Sequence, residues 1–234
     1  MNLHEQMATL YGKVTFNKAL DDFREKEEEY SSSLDKLIYF VQNWKYGYFS
    51  LGLLQNHQEI KELLQIIEKQ KTRHMMEIGT FRGGTLFLFS KVINVMGSIL
   101  SVDYPETGNL EKQQLWTDFL GGIIEQVFYT KIDGDSHSYD TIRTVKETLR
   151  HPLDFLFIDG DHTYEGAKQD YISYMPFVKK GGMIVFHDIN PREESKEQLG
   201  SVKLWQELRE SNMRTKEIIA GDSRGMGIGI LYKS

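Results

Sequence analysis

From residue 74 onward the chain alternates between two textures. Short apolar runs, "HMMEIGT", "SILSVD", "VFYTKID", "LDFLFID" and "GMIVFHD", mostly close on an acidic residue. Between them lie longer stretches with apolar residues at helical spacing: "GGTLFLFSKVINVM", "NLEKQQLWTDFLGGI", "DTIRTVKETLR" and "TYEGAKQDYISYMPFV". The short runs read as strands and the longer stretches as helices. Strands alternating with helices imply right-handed crossovers and a doubly wound, mostly parallel sheet, an α/β fold. Ligands in such sheets bind outside the carboxyl ends of the strands. That is where the acidic residues fall: Glu77 with Gly79, Asp103, Asp133 with Asp135, Asp159, and Asp188. After a helical "VKLWQELRE", the tail "TKEIIAGDSRGMGIGILYK" reads as two strands joined by a glycine-containing turn, a closing antiparallel hairpin.

Residues 1 to about 70 read as helical. "DDFREKEEEYSSSLDKLIYFVQNW" opens on a charged face, expected to be solvated from Lys26 to Glu29, and then sets Leu34, Leu37, Ile38 and Val41 at helical spacing. "NHQEIKELLQIIEKQKTR" repeats the pattern, with Asn56 as N-cap and Glu59 three residues later, as in a capping box. Trp44, Tyr46, Tyr48 and Phe49 read as a buried junction, with a substrate lid as the alternative. Residues 1–54 are therefore expected to form a helical extension, a lid or an interface, and residues 55–234 the ligand-binding domain.

Composition narrows the function classes. The 234 residues suffice for one substantial domain, and 40% hydrophobic with 26% charged is an ordinary globular balance. A net charge of -6 argues against a broad nucleic-acid surface, which needs a dense Lys/Arg footprint. The absence of cysteine rules out disulfides, thiolate metal sites and cysteine nucleophiles. No basic, apolar leader opens the chain, and no apolar run approaches the roughly 18 residues of a membrane span. The expectation is a soluble, cytoplasmic protein with neither nucleic acid nor membrane as partner; homo-oligomers are left open.

The polar strand ends supply candidate chemistry. In "EIGTFRGGT", glycines let the backbone approach a ligand, and free N–H groups at a helix start can face it. The spacing Gly79, Gly83, Gly84, with Phe81 where a second glycine would lie, is not the dinucleotide fingerprint GxGxxG. Asp103 ends the next strand 24 positions after Gly79 and suits a ribose diol. "DGDSHS", from Asp133, lines an adenine pocket or is a plain capping turn.

Together "MEIGTFRGGT", "SVDYP", "IDGDHTYEGAKQD" and "KKGGMIVFHD" resemble the class I S-adenosylmethionine-dependent methyltransferases. The likeness is to the metal-dependent O-methyltransferases, of the catechol type and of the macrocin and cephalosporin-biosynthesis type, from about residue 55 to the C-terminus. It implies a seven-stranded sheet in the order 3-2-1-4-5-7-6. It implies S-adenosylmethionine as cofactor, with Glu77, Gly79 and Thr80 at its methionine end, Asp103 on the ribose, and Gly134, Asp135 and Ser136 beside adenine. Asp159, His187 and Asp188 are implied as ligands of a divalent metal, Mg²⁺ or Mn²⁺. Family members commonly carry a carboxylate where His187 stands, and an imidazole shifts preference away from Mg²⁺.

His162 lies three residues beyond Asp159, at the offset of the family's catalytic base. The acceptor hydroxyl must lose its proton as its oxygen attacks the sulfonium methyl, and an imidazole can take it. Asp161 is expected in a turn or cap, with metal ligation in place of Asp159 as the alternative. The activity implied is methyl transfer to a hydroxyl of a small molecule, a saccharide or natural product. The rivals are a nicotinamide oxidoreductase and a non-catalytic cofactor-binding protein of the same fold. "NPREESKEQLGSVKLW", broken at Pro191, is expected as a substrate loop.

Overall fold

Strands β3 (His74–Ile78), β4 (Ser98–Asp103), β5 (Phe128–Asp133), β6 (Leu153–Ile158), β7 (Val178–His187), β8 (Arg214–Ile218) and β9 (Ile228–Tyr232) form one sheet in the order β5-β4-β3-β6-β7-β9-β8. In chain order of these seven strands this is 3-2-1-4-5-7-6, the expected arrangement. The computed structural model describes residues 3–104, 110–190, 200–221 and 226–234. The expected substrate loop from Asn190 onward falls mostly on 191–199, outside the described residues, as does part of the turn of the closing hairpin. Five strands are parallel; β9 runs antiparallel to both β7 and β8.

The strands bury alternate side chains on the sheet's two faces, as a period of two requires. Met75, Phe155, Phe157, Met183 and Val185 face one core; Met76, Leu156, Ile158, Ile184 and Phe186 face the other. Helices α6 (Tyr139–Thr148), α7 (Tyr164–Tyr174) and α8 (Gly200–Glu210) contribute to the second core through Val145, Tyr174 and Trp205. The first core is covered by α1 (Leu3–Tyr30), α2 (Leu34–Asn43), α3 (His57–Lys69), α4 (Gly84–Val92) and α5 (Leu110–Ile123). Its centre is aromatic: Trp44 stacks on Phe119 at 5.4 Å, and Phe49 stacks on the same ring at 4.6 Å. Each such ring withdrawn from water stabilises the fold by about 1.5–3 kcal/mol. Trp44 and Phe49 therefore sit in a core junction rather than a lid, and Trp44 Nε1 donates to Asp22 on α1 at 3.0 Å.

The segment after the two-stranded hairpin β1 (Lys45–Tyr46) and β2 (Phe49–Ser50) crosses the start of α4. A Cβ on Gly84 would meet the carbonyl oxygen of Leu51 at 2.9 Å and the Leu53 Cβ at 3.0 Å. Gly84 thus makes room for the protein's own chain. Asn56 caps α3 as expected, accepting from the N–H groups of Gln58 and Glu59. Glu59 does not complete a capping box. Its carboxylate turns inward and accepts from Ala220 N at 2.9 Å and Gly227 N at 3.0 Å. Two backbone donors near the far edge of the sheet, that of Gly227 buried and that of Ala220 partly so, outcompete the cap.

Candidate active site

The sheet register sets the site. Ile78 pairs with Val102 on one side and Ile158 on the other, and Ile158 pairs with Phe186. The next residue on each strand, Gly79, Asp103, Asp159 and His187, therefore forms one row across the carboxyl edge. Close approach within that row depends on Gly79, whose φ is +87°. A Cβ there would lie 2.3 Å from the Asp159 carbonyl oxygen, so only glycine lets β3 and β6 end side by side.

A cavity of about 1060 Å³ opens over this row. Of the residues singled out from sequence, Gly79, Thr80, Asp103, Gly134, Asp135, Ser136, Asp159, His162, His187 and Asp188 all line it. Glu77 does not. It is buried behind the row, with its carboxyl beside the Thr80 hydroxyl. Burial, with Asp159 and Asp103 adding to it, holds its pKa well above the usual carboxylate range. Thr80 is likewise buried, and its side chain offsets a small part of that rise.

Asp103 accepts from the backbone of Thr80 and Tyr104, yet burial raises its pKa to about 6 against the opposing pull of Lys131. Asp133, the neighbouring strand end, is occupied by Lys131 Nζ at 2.6 Å and does not line the cavity. The turn after β5 is tied down from α7: the Tyr174 hydroxyl donates to the Ser136 carbonyl at 2.7 Å. His137 Nε2 lies 3.3 Å from the fully buried Asp170. His137, Tyr174 and Asp170 carried no recognisable signal in the sequence, because the contact joins segments more than 30 residues apart.

Around Asp159 the polar groups interlock. Its Oδ1 lies 3.1 Å from His187 Nδ1 and 3.3 Å from His162 Nε2, and its Oδ2 accepts from Gln55 Nε2 at 2.9 Å. Burial opposes the charge of Asp159, but the two imidazoles outweigh it and hold its pKa below the usual value. Burial likewise opposes charge on His187, yet Asp159 and then Asp188 raise its pKa to about 9. At neutral pH His187 is a buried cation between two strand-end carboxylates. The hydrogen bond to Asp159 raises the pKa of the half-exposed His162, against burial. Asp161 takes the turn role, accepting from Thr163 N at 2.8 Å, and Thr163 caps α7. Gln55 was not anticipated: a lone glutamine in "LLQNHQ" forms no motif.

Known proteins fit this architecture. A family model described as a methyltransferase domain matches residues 76–189. An uncharacterised protein of Acanthamoeba polyphaga mimivirus is 33% identical over 133 residues, covering 55% of this chain and 57% of its own length. The chain thus spans little more than half of that curated relative. Among solved structures, an O-methyltransferase from Bacillus cereus in complex with S-adenosylhomocysteine superposes with a TM-score of 0.56 at 16% identity, over 74% of this chain and 80% of that one. The O-methyltransferase TomG from Streptomyces achromogenes, involved in tomaymycin synthesis and solved with S-adenosylmethionine, gives 0.61 at 14% identity, over 87% and 91%. Residues 76–189 thus match a methyltransferase-domain model, and the seven-stranded sheet that carries them has the fold of these solved O-methyltransferases.

Proposed function

We propose that this protein is an S-adenosylmethionine-dependent O-methyltransferase acting on a hydroxyl of a small molecule, a saccharide or another natural product, with His162 as general base. The observation that carries the reading is one cavity holding both halves of the chemistry. Gly79 and Asp103 line one part, and the Asp159–His162 pair, 3.3 Å apart, lines another.

The residues fit the cofactor. Glu77 and Thr80 are buried polar groups at the end of β3, and Asp103 offers a carboxylate to a diol. Gly134, Asp135 and Ser136 would border the base. When bound, S-adenosylmethionine supplies an electrophilic methyl group on a sulfonium. The protein's part is to orient an acceptor hydroxyl and take its proton. Asp159 fixes the His162 ring through Nε2 and stabilises the imidazolium formed on proton transfer. In the resting site the same bond favours protonation of His162, so the base form grows as pH rises above the ordinary histidine value.

We read Asp159, His187 and Asp188 as a charge-balanced cluster rather than a divalent-cation site. Both oxygens of Asp159 already accept N–H groups, and the described residues contain no group of three His, Asp or Glu side chains arranged to hold a metal. His187 supplies the positive charge that Asp159 and Asp188 require.

Titration calorimetry tests the reading, with S-adenosylhomocysteine as ligand, NAD as control, and EDTA, Mg²⁺ and Mn²⁺ as separate conditions. Micromolar binding of the homocysteine compound, on the order of -8 kcal/mol, is expected in every condition, with none for NAD. Binding of NAD alone would replace the methyltransferase reading with a dinucleotide one. An acceptor screen over glycosides and natural-product alcohols follows, and transfer to none of them would favour a non-catalytic cofactor-binding protein.

A further inference from the structure

We infer that Gln55, fixed in orientation by Thr85, is the positioning residue that aims Asp159 at His162. This deepens the methyl-transfer reading and rests on it for the role of His162.

The geometry is a short chain of directed hydrogen bonds. Thr85 Oγ1 donates to Gln55 Oε1 at 3.0 Å, and Gln55 Nε2 donates to Asp159 Oδ2 at 2.9 Å. Gln55 and Thr85 are both buried, with 7% and 8% of their surface exposed, and both border the cavity. The direction of the chain follows from its last member. An ionised carboxylate only accepts, so the amide must turn its NH₂ to Asp159. Its carbonyl oxygen then faces Thr85, which must donate. Thr85 lies in the first turn of α4, whose N-cap is Gly83, a residue without a capping side chain.

The consequence falls on the other carboxylate oxygen. With Oδ2 held by Gln55, Oδ1 is the atom left for His187 Nδ1 and His162 Nε2. A carboxylate free to rotate would share these two imidazoles between both oxygens and leave the His162 ring without a fixed direction. The backbone at Gln55 is itself held, its main-chain carbonyl oxygen accepting from Gln42 Nε2 on α2 at 3.2 Å. Tyr48 and Leu54, from the same stretch of chain, line the cavity. The wall that an acceptor would meet and the group that orients the base are therefore one continuous segment. A bulky change in that wall should reach His162 through Gln55.

The test uses the full chain and four variants: Gln55→Glu and Thr85→Val, which keep shape but remove a donor, Gln55→Leu, and Thr85→Ser, which keeps the hydroxyl. Two readouts are taken: S-adenosylhomocysteine affinity by calorimetry, and the ring ¹⁵N–¹H correlation spectrum of His162 and His187. The expected result is displaced His162 and His187 ring signals in Gln55→Glu, Gln55→Leu and Thr85→Val, and wild-type signals in Thr85→Ser, with calorimetry reporting whether the wild-type protein binds the ligand. Wild-type ring signals in Gln55→Glu and Thr85→Val would overturn the proposal. Equal displacement in Thr85→Ser and Thr85→Val would also overturn it, since packing alone would then explain the effect. Failure of the wild-type protein to bind S-adenosylhomocysteine would instead remove the methyltransferase reading, while the ring signals would still report on the Gln55 contact.

Discussion

His187 Nδ1 stands 3.1 Å from Asp159 Oδ1, and this contact joins the ends of two neighbouring strands through opposite charges. The folded-state pKa of His187, about 9, exceeds its ordinary value of 6.5. Its contribution to stability is therefore complete below about pH 6.5 and is lost as pH rises through 9. Chemical denaturation in EDTA at several pH values should show wild-type stability falling across that window, by a few kcal/mol at most. In His187→Gln the decline should flatten. A parallel decline in both proteins would show that His187 does not carry the charge.

Asp103 has the opposite consequence for ligand binding. Its pKa, raised to about 6 by burial, means that it is half protonated near pH 6 and ionised only above it. As the acceptor for a ribose diol it must be ionised. S-adenosylhomocysteine affinity should then fall below pH 6, tending to about tenfold per pH unit. Asp103→Asn should bind more weakly by about 1.5–3 kcal/mol and lose that pH dependence. Calorimetry across pH 5 to 8 decides, and an unchanged affinity in the variant would take Asp103 off the ribose.

For His162, turnover and binding should separate. With an acceptor identified, His162→Ala should slow transfer by about 10²–10⁴-fold while S-adenosylhomocysteine affinity stays near wild type. The wild-type rate should climb with pH through a value above 6.5, because the Asp159 hydrogen bond favours the protonated ring. Initial rates with and without the substitution check both points. Undiminished turnover in the variant across pH would reject the assignment.

Glu59 carries a prediction about stability alone. Glu59→Ala leaves Ala220 N and Gly227 N without their buried acceptor, at a cost of about 1–3 kcal/mol for each group left unsatisfied. Glu59→Gln keeps the shape and one acceptor oxygen and should lose less. Urea titrations of the two variants would rank them; equal losses would mean that the hydrogen bonds contribute little.

The order of elements was legible because strand length, helical spacing and acidic strand ends are local properties of the chain. The order 3-2-1-4-5-7-6 came from resemblance, since crossover rules alone allow other arrangements. The row of site residues was legible for the same local reason, each being the residue at or just beyond a strand end. What escaped were contacts that join distant segments. Gln55 meets Asp159 across 104 positions, and Glu59 meets Gly227 across 168. A capping box at Asn56 and Glu59 was the natural local reading, and it failed because a buried partner lay elsewhere. Gly84 was read as an approach for a ligand and does line the cavity, but its missing side chain also admits Leu51 and Leu53, which the sequence did not suggest. His187 was implied as a metal ligand, and its Nδ1 stands 3.1 Å from Asp159 and 3.5 Å from Asp188.

The two bonds to Glu59 close the β8–β9 connection at its base, and two further backbone bonds, Ile189 N to Gly227 O and Asn190 N to Met226 O, fasten its returning end to the end of β7. Chain added between residues 221 and 226 would thus be anchored on both sides before it began. Its entropic burden would be that of a loop closed at fixed ends, about 0.6 kcal/mol for each doubling of length. Met226, at that anchored end, already reaches the cavity wall. The ends flanking the connection are accordingly held independently of its length, so a change of length there should leave the register of β7, β9 and β8 unchanged.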